Sequence, residues 1–154
     1  MPLNRDYIGR KYPIAEPYEV AREIIRRFAA AIGDPNPLYT DRAAAQAAGY
    51  DDVVAPPTFL VTLNLRYAGD GPVADPELGL DYSRVVHGEQ RFTHHRPVRA
   101  GDVLSIVNTV DDIRDAGANE LLVTRTVITD AAGEPVADTV STLVSRGTAS
   151  GSAA

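Results

Sequence analysis

The second half of the chain contains four extended segments separated by short turns, and this pattern constrains the fold more than any other. The segments are rich in Val, Ile and Thr, which favour strands, and they cover residues 83–96, 103–114, 120–129 and 136–146. The turn signals RAGD, DAGAN and DAAGE lie between them. Because connections this short join antiparallel neighbours, the pattern predicts an antiparallel meander. A further strand within residues 7–20 is expected to complete a sheet of about five strands.

Three segments ahead of the meander have the spacing of helices. Apolar residues recur at helical intervals over residues 19–32, and a following glycine, Gly33, is typical of a helix C-terminus. A short alanine-rich helix is predicted from Asp41, closed by Gly49. Residues from about 58 to 67 are apolar on nearly every side. A helix of that kind is expected to be buried.

A sheet of this size has to bury one face, and the helix at about 58–67 is the segment long and apolar enough to cover it. We therefore predict an α+β fold in which an antiparallel sheet wraps around a central apolar helix. The chain has 154 residues, which fits one domain, and we place that domain at residues 1–146. Residues 147–154 contain no apolar side chain larger than alanine, so a disordered tail is expected there.

Composition excludes several classes of function. A net charge of -6 argues against nucleic-acid binding, which needs an excess of Lys and Arg. The absence of cysteine excludes disulfides, thiolate metal sites and a cysteine nucleophile. No segment of the sequence approaches the roughly 20 apolar residues of a membrane span. We therefore expect a cytoplasmic protein without membrane contacts.

All three histidines fall in the first strand of the predicted meander, among four arginines. They are His87, His94 and His95, with Arg84, Arg91, Arg96 and Arg99. Strict alternation would place His87, Arg91 and His95 on one face, where they could present positive charge to a phosphate. The alternative is a solvated strand face with histidines capping loops. A metal site is not expected, because His87 and His95 would be roughly 26 Å apart at about 3.3 Å per residue.

The stretch GDPNPLY, residues 33–39, has the composition of an ordinary helix-to-loop corner. Together with AAGYDDVVAP, the apolar helix and HGEQRFTHHRPVRAGD, it resembles the hot-dog fold of MaoC-like (R)-specific enoyl hydratases and (3R)-hydroxyacyl-thioester dehydratases. The resemblance runs from about residue 5 to residue 146. It is greatest to short actinobacterial-type subunits, the FAS1-like dehydratase domain group, which includes partner subunits of type II fatty-acid synthase dehydratase heterodimers.

The resemblance identifies the loop at residues 33–39 with a catalytic motif, but with one substitution. Gly33, Asp34, Asn36, Pro37 and Leu38 match the motif, whereas Tyr39 stands where the family has histidine. In the family, the aspartate and histidine activate a water that adds across the C2–C3 double bond of an acyl thioester. A histidine with a pKa of about 6.5 suits that task, and a tyrosine at about 10 does not.

A second substitution affects the start of the central helix. In active members a His-Gly pair lies there, and the glycine N–H stabilises the enolate that develops on the thioester. The matching residues here are Pro56 and Pro57, and proline has no N–H. Thr58 offers an amide and a hydroxyl one position later. Removing such a donor costs about 100-fold to 1000-fold in rate.

Three hypotheses follow from the resemblance: a subunit that assists an intact MaoC-type dehydratase partner, a self-sufficient homodimeric hydratase, or a non-catalytic module that binds acyl thioesters. The implied ligand is acyl-CoA or an acyl carrier protein, whose phosphopantetheine belongs to the substrate, so no separate cofactor is expected. A homodimer or heterodimer is expected because an exposed sheet edge is ordinarily paired. The candidate catalytic residues are Asp34, Asn36, Tyr39 and His87, and the candidate substrate-binding residues are Pro57, Thr58, Phe59, Gly88 and Arg91.

Overall fold

The computed structural model describes residues 1–149 and confirms the predicted α+β architecture, with a sheet of antiparallel strands packed against a central helix. The strands are β1 (Lys11–Pro13), β2 (Tyr18–Glu19), β3 (Val85–His94), β4 (Val103–Ala116), β5 (Asn119–Thr129) and β6 (Pro135–Ser145). The helices are α1 (Arg22–Ile32), α2 (Arg42–Ala47) and α3 (Val61–Arg66). The order across the sheet is β1-β4-β5-β6-β3, and β2 also pairs with β4. Strand β3 therefore lies at an edge.

The single strand expected within residues 7–20 is wrong in detail. Two short strands, β1 and β2, pair with separate parts of β4, and Tyr7 belongs to a 3₁₀ turn, Arg5–Tyr7. Pro13 and Pro17 carry no N–H and cannot donate to the strand ladder, which explains why the pairing breaks between them. Helix α1 accordingly begins at Arg22 instead of residue 19, because Tyr18 and Glu19 are held in β2.

Helix α1 ends where the sequence predicts. Gly33 has a φ of 71° and its N–H donates to the last turn of the helix, a conformation that glycine adopts without steric cost. Ile25 and Ala29 face the core and are fully buried. Phe28 makes an edge-to-face contact with Phe59, with ring centres 5.6 Å apart. This contact fixes α1 against the segment that leads into α3.

The central helix is shorter and less buried than the sequence predicts. Turns occupy the positions before Val61, so Phe59 and Leu60 reach the core from the entry turn and not from the helix itself. Phe59, Leu60 and Leu63 are at most 1% exposed, and they pack against sheet residues in one continuous cluster. Leu65 is 69% exposed. A six-residue helix presents only one face to the sheet, so the expectation of burial on every side is wrong.

Residues 147–149, which the sequence assigns to a disordered tail, make hydrogen bonds at the end of the sheet. The Thr148 hydroxyl donates to the Ser145 carbonyl at 3.1 Å, and the Ala149 N–H donates to the Ala118 carbonyl at 3.3 Å. Residues 147–149 are therefore packed on the end of the sheet, contrary to the prediction of a tail from residue 147. The remaining part of that predicted tail, residues 150–154, lies outside the described residues. Within residues 1–149, the helices are too short and too polar to cross a membrane.

Candidate active site and chain-binding cavity

The loop at residues 33–39 is built by its own aspartate and asparagine. Asp34 Oδ1 accepts a hydrogen bond from the Asn36 N–H at 3.1 Å, and Asn36 Oδ1 accepts one from the Leu38 N–H at 3.0 Å. A 3₁₀ turn, Pro37–Tyr39, follows directly. The corner interpretation is therefore confirmed. Both side chains that match the catalytic motif are engaged in holding the loop.

Tyr39 is held inside the protein in its protonated form. Its side chain belongs to the main core cluster and the residue is 9% exposed. Burial raises the pKa of the Tyr39 hydroxyl, and the charge of Asp34 raises the pKa further, against a smaller opposing effect of a hydrogen bond with Asn36. A phenol with a raised pKa donates hydrogen bonds at neutral pH but does not take up a proton. Tyr39 is thus unsuited to the role of general base.

The start of the central helix presents a carbonyl to a histidine. The distance between His94 Nε2 and the Pro57 carbonyl oxygen is 2.9 Å, and since a carbonyl only accepts, the nitrogen carries the proton. Phe92 stacks against the His94 ring with centres 6.2 Å apart. The Thr58 N–H has no hydrogen-bond acceptor in the described part of the chain, and Thr58 is exposed.

A cavity of about 430 Å³, here named the loop cavity, brings Tyr39, Pro57 and His94 together. Tyr50, Val54 and Arg96 also line it. His94 was not among the site residues predicted from sequence. His94 follows the apolar Phe92 by two residues, so alternation along a strand places both on the same face. Nothing in the sequence, however, indicated that His94 would bond to a proline carbonyl.

A second cavity of about 360 Å³, here named the helix cavity, lies between α3, the loop that follows it and the inner face of the sheet. His87 lines this cavity, where its Nε2 lies 3.1 Å from Ser141 Oγ. The two cavities share no lining residue. The structure therefore separates His87 from Tyr39, although both are candidate catalytic residues from the sequence.

A β-bulge at Gly88 overturns the predicted face of His87. His87 is opposite Leu143 and Glu89 is opposite Thr142, so Gly88 is an additional residue on β3. The bulge reverses the alternation, and His87 shares the inward face with Gln90 in the helix cavity. A Cβ at Gly88 would lie 3.1 Å from Val144 Cγ2, which explains the need for glycine at this point.

The prediction that His87 and Arg91 share one face is therefore also wrong. Arg91 bonds to Glu89 at 2.7 Å on the outward side of β3, and the other basic side chains lie next to carboxylates, two of them close in sequence and two from distant parts of the chain. These pairs are Arg84 with Asp81, His95 with Asp138, Arg96 with Asp102, and Arg99 with Asp51. The hydrogen bond from Arg96 to Asp102 raises the pKa of the guanidinium, which stays charged. Each of these arginines therefore has an acidic neighbour within the described part of the chain.

Solved structures with the same architecture identify the class of protein. A structure described as a MaoC-like dehydratase is 33% identical, with a TM-score of 0.83 over 91% of this chain, and this chain spans 42% of that longer one. A HadBC (3R-hydroxyacyl-ACP dehydratase) complex from Mycobacterium tuberculosis is 31% identical, with a TM-score of 0.79 over 92% of this chain and 99% of the matched chain. The fold is therefore the hot-dog fold of MaoC-like dehydratases.

Residues 6–139 match the family model described as FAS1-like, dehydratase domain region. The chain belongs to the FAS1-like dehydratase domain family. Among its relatives, a UPF0336 protein from Saccharopolyspora erythraea is 58% identical over 149 residues, which is 97% of this chain and 95% of the relative.

Proposed function

We propose that this chain is the chain-binding subunit of a (3R)-hydroxyacyl-thioester dehydratase, paired with a second hot-dog subunit that carries the catalytic aspartate and histidine. The strongest support for this proposal comes from two residues that line the loop cavity, Tyr39 and Pro57. Tyr39 is buried with a raised pKa, and Pro57 presents a carbonyl bonded to His94 where an N–H would be needed. The general base and the oxyanion donor are altered together.

The helix cavity would give such a subunit a binding site for the substrate. Its volume of about 360 Å³ is within the range of small-molecule sites, and most of its surface is apolar. Leu65 and Tyr82 line the cavity, yet each is 69% exposed in the single chain. Two large apolar side chains at a cavity mouth indicate a surface that another molecule covers. We assign the cavity to the acyl chain of the thioester.

The edge strand β3 provides the surface for the partner. Among residues 1–149 it pairs with β6 on one side only, and a ten-residue strand with free backbone groups is a template for pairing with another chain. Val86, on this strand, is 43% exposed. The M. tuberculosis protein of similar structure is described as a complex, which supports a heterodimer as the assembly of this chain.

A second candidate is a self-sufficient homodimeric hydratase, favoured by two observations. Asp34 is retained in the loop, and the exposed Thr58 N–H has no acceptor in the described part of the chain. In this scheme Thr58 would replace the lost oxyanion donor and Asp34 would hold the water. A third possibility, a binding module without turnover, would use the helix cavity alone.

One assay separates these functions. The purified chain is tested for hydration of crotonyl-CoA by itself and after mixing with a MaoC-type subunit from the same cell that retains Asp and His. We expect no appreciable hydration by the chain alone, and with the partner a rate above that of the partner alone. Appreciable turnover by the chain alone would favour the homodimeric hydratase. Binding of long-chain acyl-CoA without turnover, with or without the partner, would favour the binding module.

A further inference from the structure

The loop that joins α3 to β3, residues 67–84 and here named the wall loop, forms one wall of the helix cavity. It contains the 3₁₀ turns Ala68–Asp70, Pro72–Ala74, Pro76–Leu78 and Tyr82–Arg84. Gly71, Pro72 and Val73, within this loop, line the cavity. Because 3₁₀ turns are short and their hydrogen bonds have poor geometry, the position of the wall depends on contacts with other parts of the chain.

Two tyrosines of the N-terminal segment hold the wall loop. The Tyr7 hydroxyl donates to Glu77 Oε2 at 2.7 Å, and the Tyr12 hydroxyl donates to Asp75 Oδ2 at 3.0 Å. Burial and the hydrogen bond to Asp75 raise the pKa of Tyr12 to about 12, so the hydroxyl stays protonated and able to donate at neutral pH. Tyr12 lies on β1, which is paired with β4 in the sheet. The bond from Tyr12 therefore ties the wall loop to the sheet itself.

The helix cavity ends where the wall loop meets β4. A small cavity of about 20 Å³ shares Asn64, Gly71 and Asn108 with the helix cavity, and Tyr12 lines the small cavity but not the helix cavity. The small volume is enough for about one water molecule and not for a hydrocarbon chain. Gly71 is buried, and a Cβ at this residue would already lie in contact with Asn108 Nδ2, at 4.0 Å. The wall loop is thus packed against β4 closely enough to close the helix cavity at this end.

We infer that the hydrogen bond between Tyr12 and Asp75 sets the longest acyl chain that the helix cavity accepts. By holding the wall loop against β4, the bond keeps the helix cavity and the small cavity apart, so a chain that enters at the exposed mouth has to end at Gly71. Loss of the bond would let the wall loop move outward and a longer chain continue toward the small cavity. Tyr12 is a positioning residue, because it acts on the chain through the wall loop. This inference rests on the proposed function, since it assumes that the helix cavity holds the acyl chain of a thioester.

Calorimetric titration of the full chain with saturated acyl-CoA esters, from hexanoyl-CoA to tetradecanoyl-CoA, tests the inference. In the unaltered chain, the affinity should rise by up to about fourfold per added methylene while the acyl chain still fits, and should then stop rising. Tyr12→Phe, which removes only the hydroxyl, should move this limit to an ester longer by about two carbons and leave the affinity for shorter esters within about twofold. Tyr67→Phe is the matched control and should keep the limit, because Tyr67 also lines the small cavity but takes no part in the bond to Asp75.

The outcomes distinguish this inference from the proposed function. If Tyr12→Phe leaves the limit unchanged, if it weakens the binding of every ester equally, or if the affinity of the unaltered chain rises through the whole series, the inference is wrong while the acyl-binding role stands. If none of the esters binds, both are wrong. Asp75→Ala removes the same hydrogen bond from its acceptor side and should move the limit in the same direction. It provides the second variant should Tyr12→Phe fail to fold, as judged by circular dichroism.

Discussion

His94 donates a hydrogen bond from Nε2 to the Pro57 carbonyl oxygen across 2.9 Å. The bond joins the end of β3 to the entry of the central helix, the place where the family's active members are expected to offer an N–H to the thioester. In this chain the same place holds the Pro57 carbonyl, a hydrogen-bond acceptor that is bonded to His94. The bond holds the start of the helix in place, which is consistent with the proposal that a second subunit supplies the catalytic groups.

Restoring both the general base and the oxyanion donor should give the isolated chain measurable hydratase activity. We predict that Tyr39→His combined with Pro57→Gly raises crotonyl-CoA hydration by the chain alone at least about tenfold above background, because an oxyanion donor is worth about 100-fold to 1000-fold and a general base a similar factor. Spectrophotometric loss of the enoyl thioester measures it. Tyr39→His with Pro56→Gly is the matched control and should stay at background. Equal activity in the two double variants would contradict the assignment of Pro57.

A side chain at Gly88, in the β-bulge of β3, should lower the stability of the fold. A Cβ there would lie 3.1 Å from Val144 Cγ2 and 3.3 Å from the Thr142 carbonyl oxygen, so Gly88→Ala is expected to lower the free energy of unfolding by about 1–3 kcal/mol. Urea denaturation gives the value. Gly69→Ala is the control, because nothing lies within 4 Å of its Cβ position, and it should change stability by less than about 0.5 kcal/mol. Similar losses in both variants would show that the bulge is not the cause.

Asp52 should contribute stability that depends on pH. Its carboxylate takes two hydrogen bonds from Arg22, at 2.9 and 2.6 Å, and this contact lowers the pKa of Asp52 from 3.8 to about 2. A depressed pKa in the folded state means that the stabilisation is present above about pH 4 and is lost as the pH falls toward 2. We expect Asp52→Asn to cost about 1 kcal/mol at pH 7, after allowance for solvent screening.

Urea denaturation of wild type and Asp52→Asn at pH 7, 4 and 2.5 checks this prediction. The difference in unfolding free energy should shrink across that series. Asp111→Asn serves as the control, because Asp111 pairs with Arg125 at 3.4 Å on an exposed surface and should contribute less than about 0.5 kcal/mol. A difference for Asp52→Asn that stays constant from pH 7 to 2.5 would mean that the carboxylate charge is not what matters.

The exposed apolar side chain at the mouth of the helix cavity should matter for assembly and not for folding. Leu65 is 69% exposed in the single chain, so Leu65→Glu is expected to leave the melting temperature of the isolated chain nearly unchanged. It should weaken association with a second hot-dog subunit at least about tenfold, because a charge would be buried at the interface. Sedimentation velocity measures this. Ile8→Glu, at an exposed residue of the N-terminal segment, should associate normally, and equal weakening by both changes would refute the location of the interface.

The sequence was sufficient for the architecture and insufficient for several details of the site. Alternation of Val, Ile and Thr predicted β3 to β6, and Gly33 marked the end of α1, since both signals are local. The bulge at Gly88 is not local, because it depends on contacts with Thr142 and Val144 on the neighbouring strand. His87 was consequently assigned to the wrong face.

Long-range pairing explains the other errors. Two of the carboxylate partners, Asp130 for Arg96 and Asp51 for Arg99, come from other loops and could not be assigned from the sequence. The roles of Asp34, Asn36 and Tyr39 in catalysis stay predictions, and their positions in one loop came from the resemblance to the family motif.

The most direct test of the division of labour places equivalent substitutions in each subunit of the reconstituted dehydratase. One complex carries Asp34→Asn and Tyr39→Phe in this chain, and a second carries substitutions of the catalytic aspartate and histidine in the partner. The kcat for crotonyl-CoA hydration is measured for both. We predict that the first complex keeps its activity within about twofold and that the second loses at least about 100-fold. A large loss in the first complex with the second unaffected would place the catalytic site in this chain and contradict the proposal.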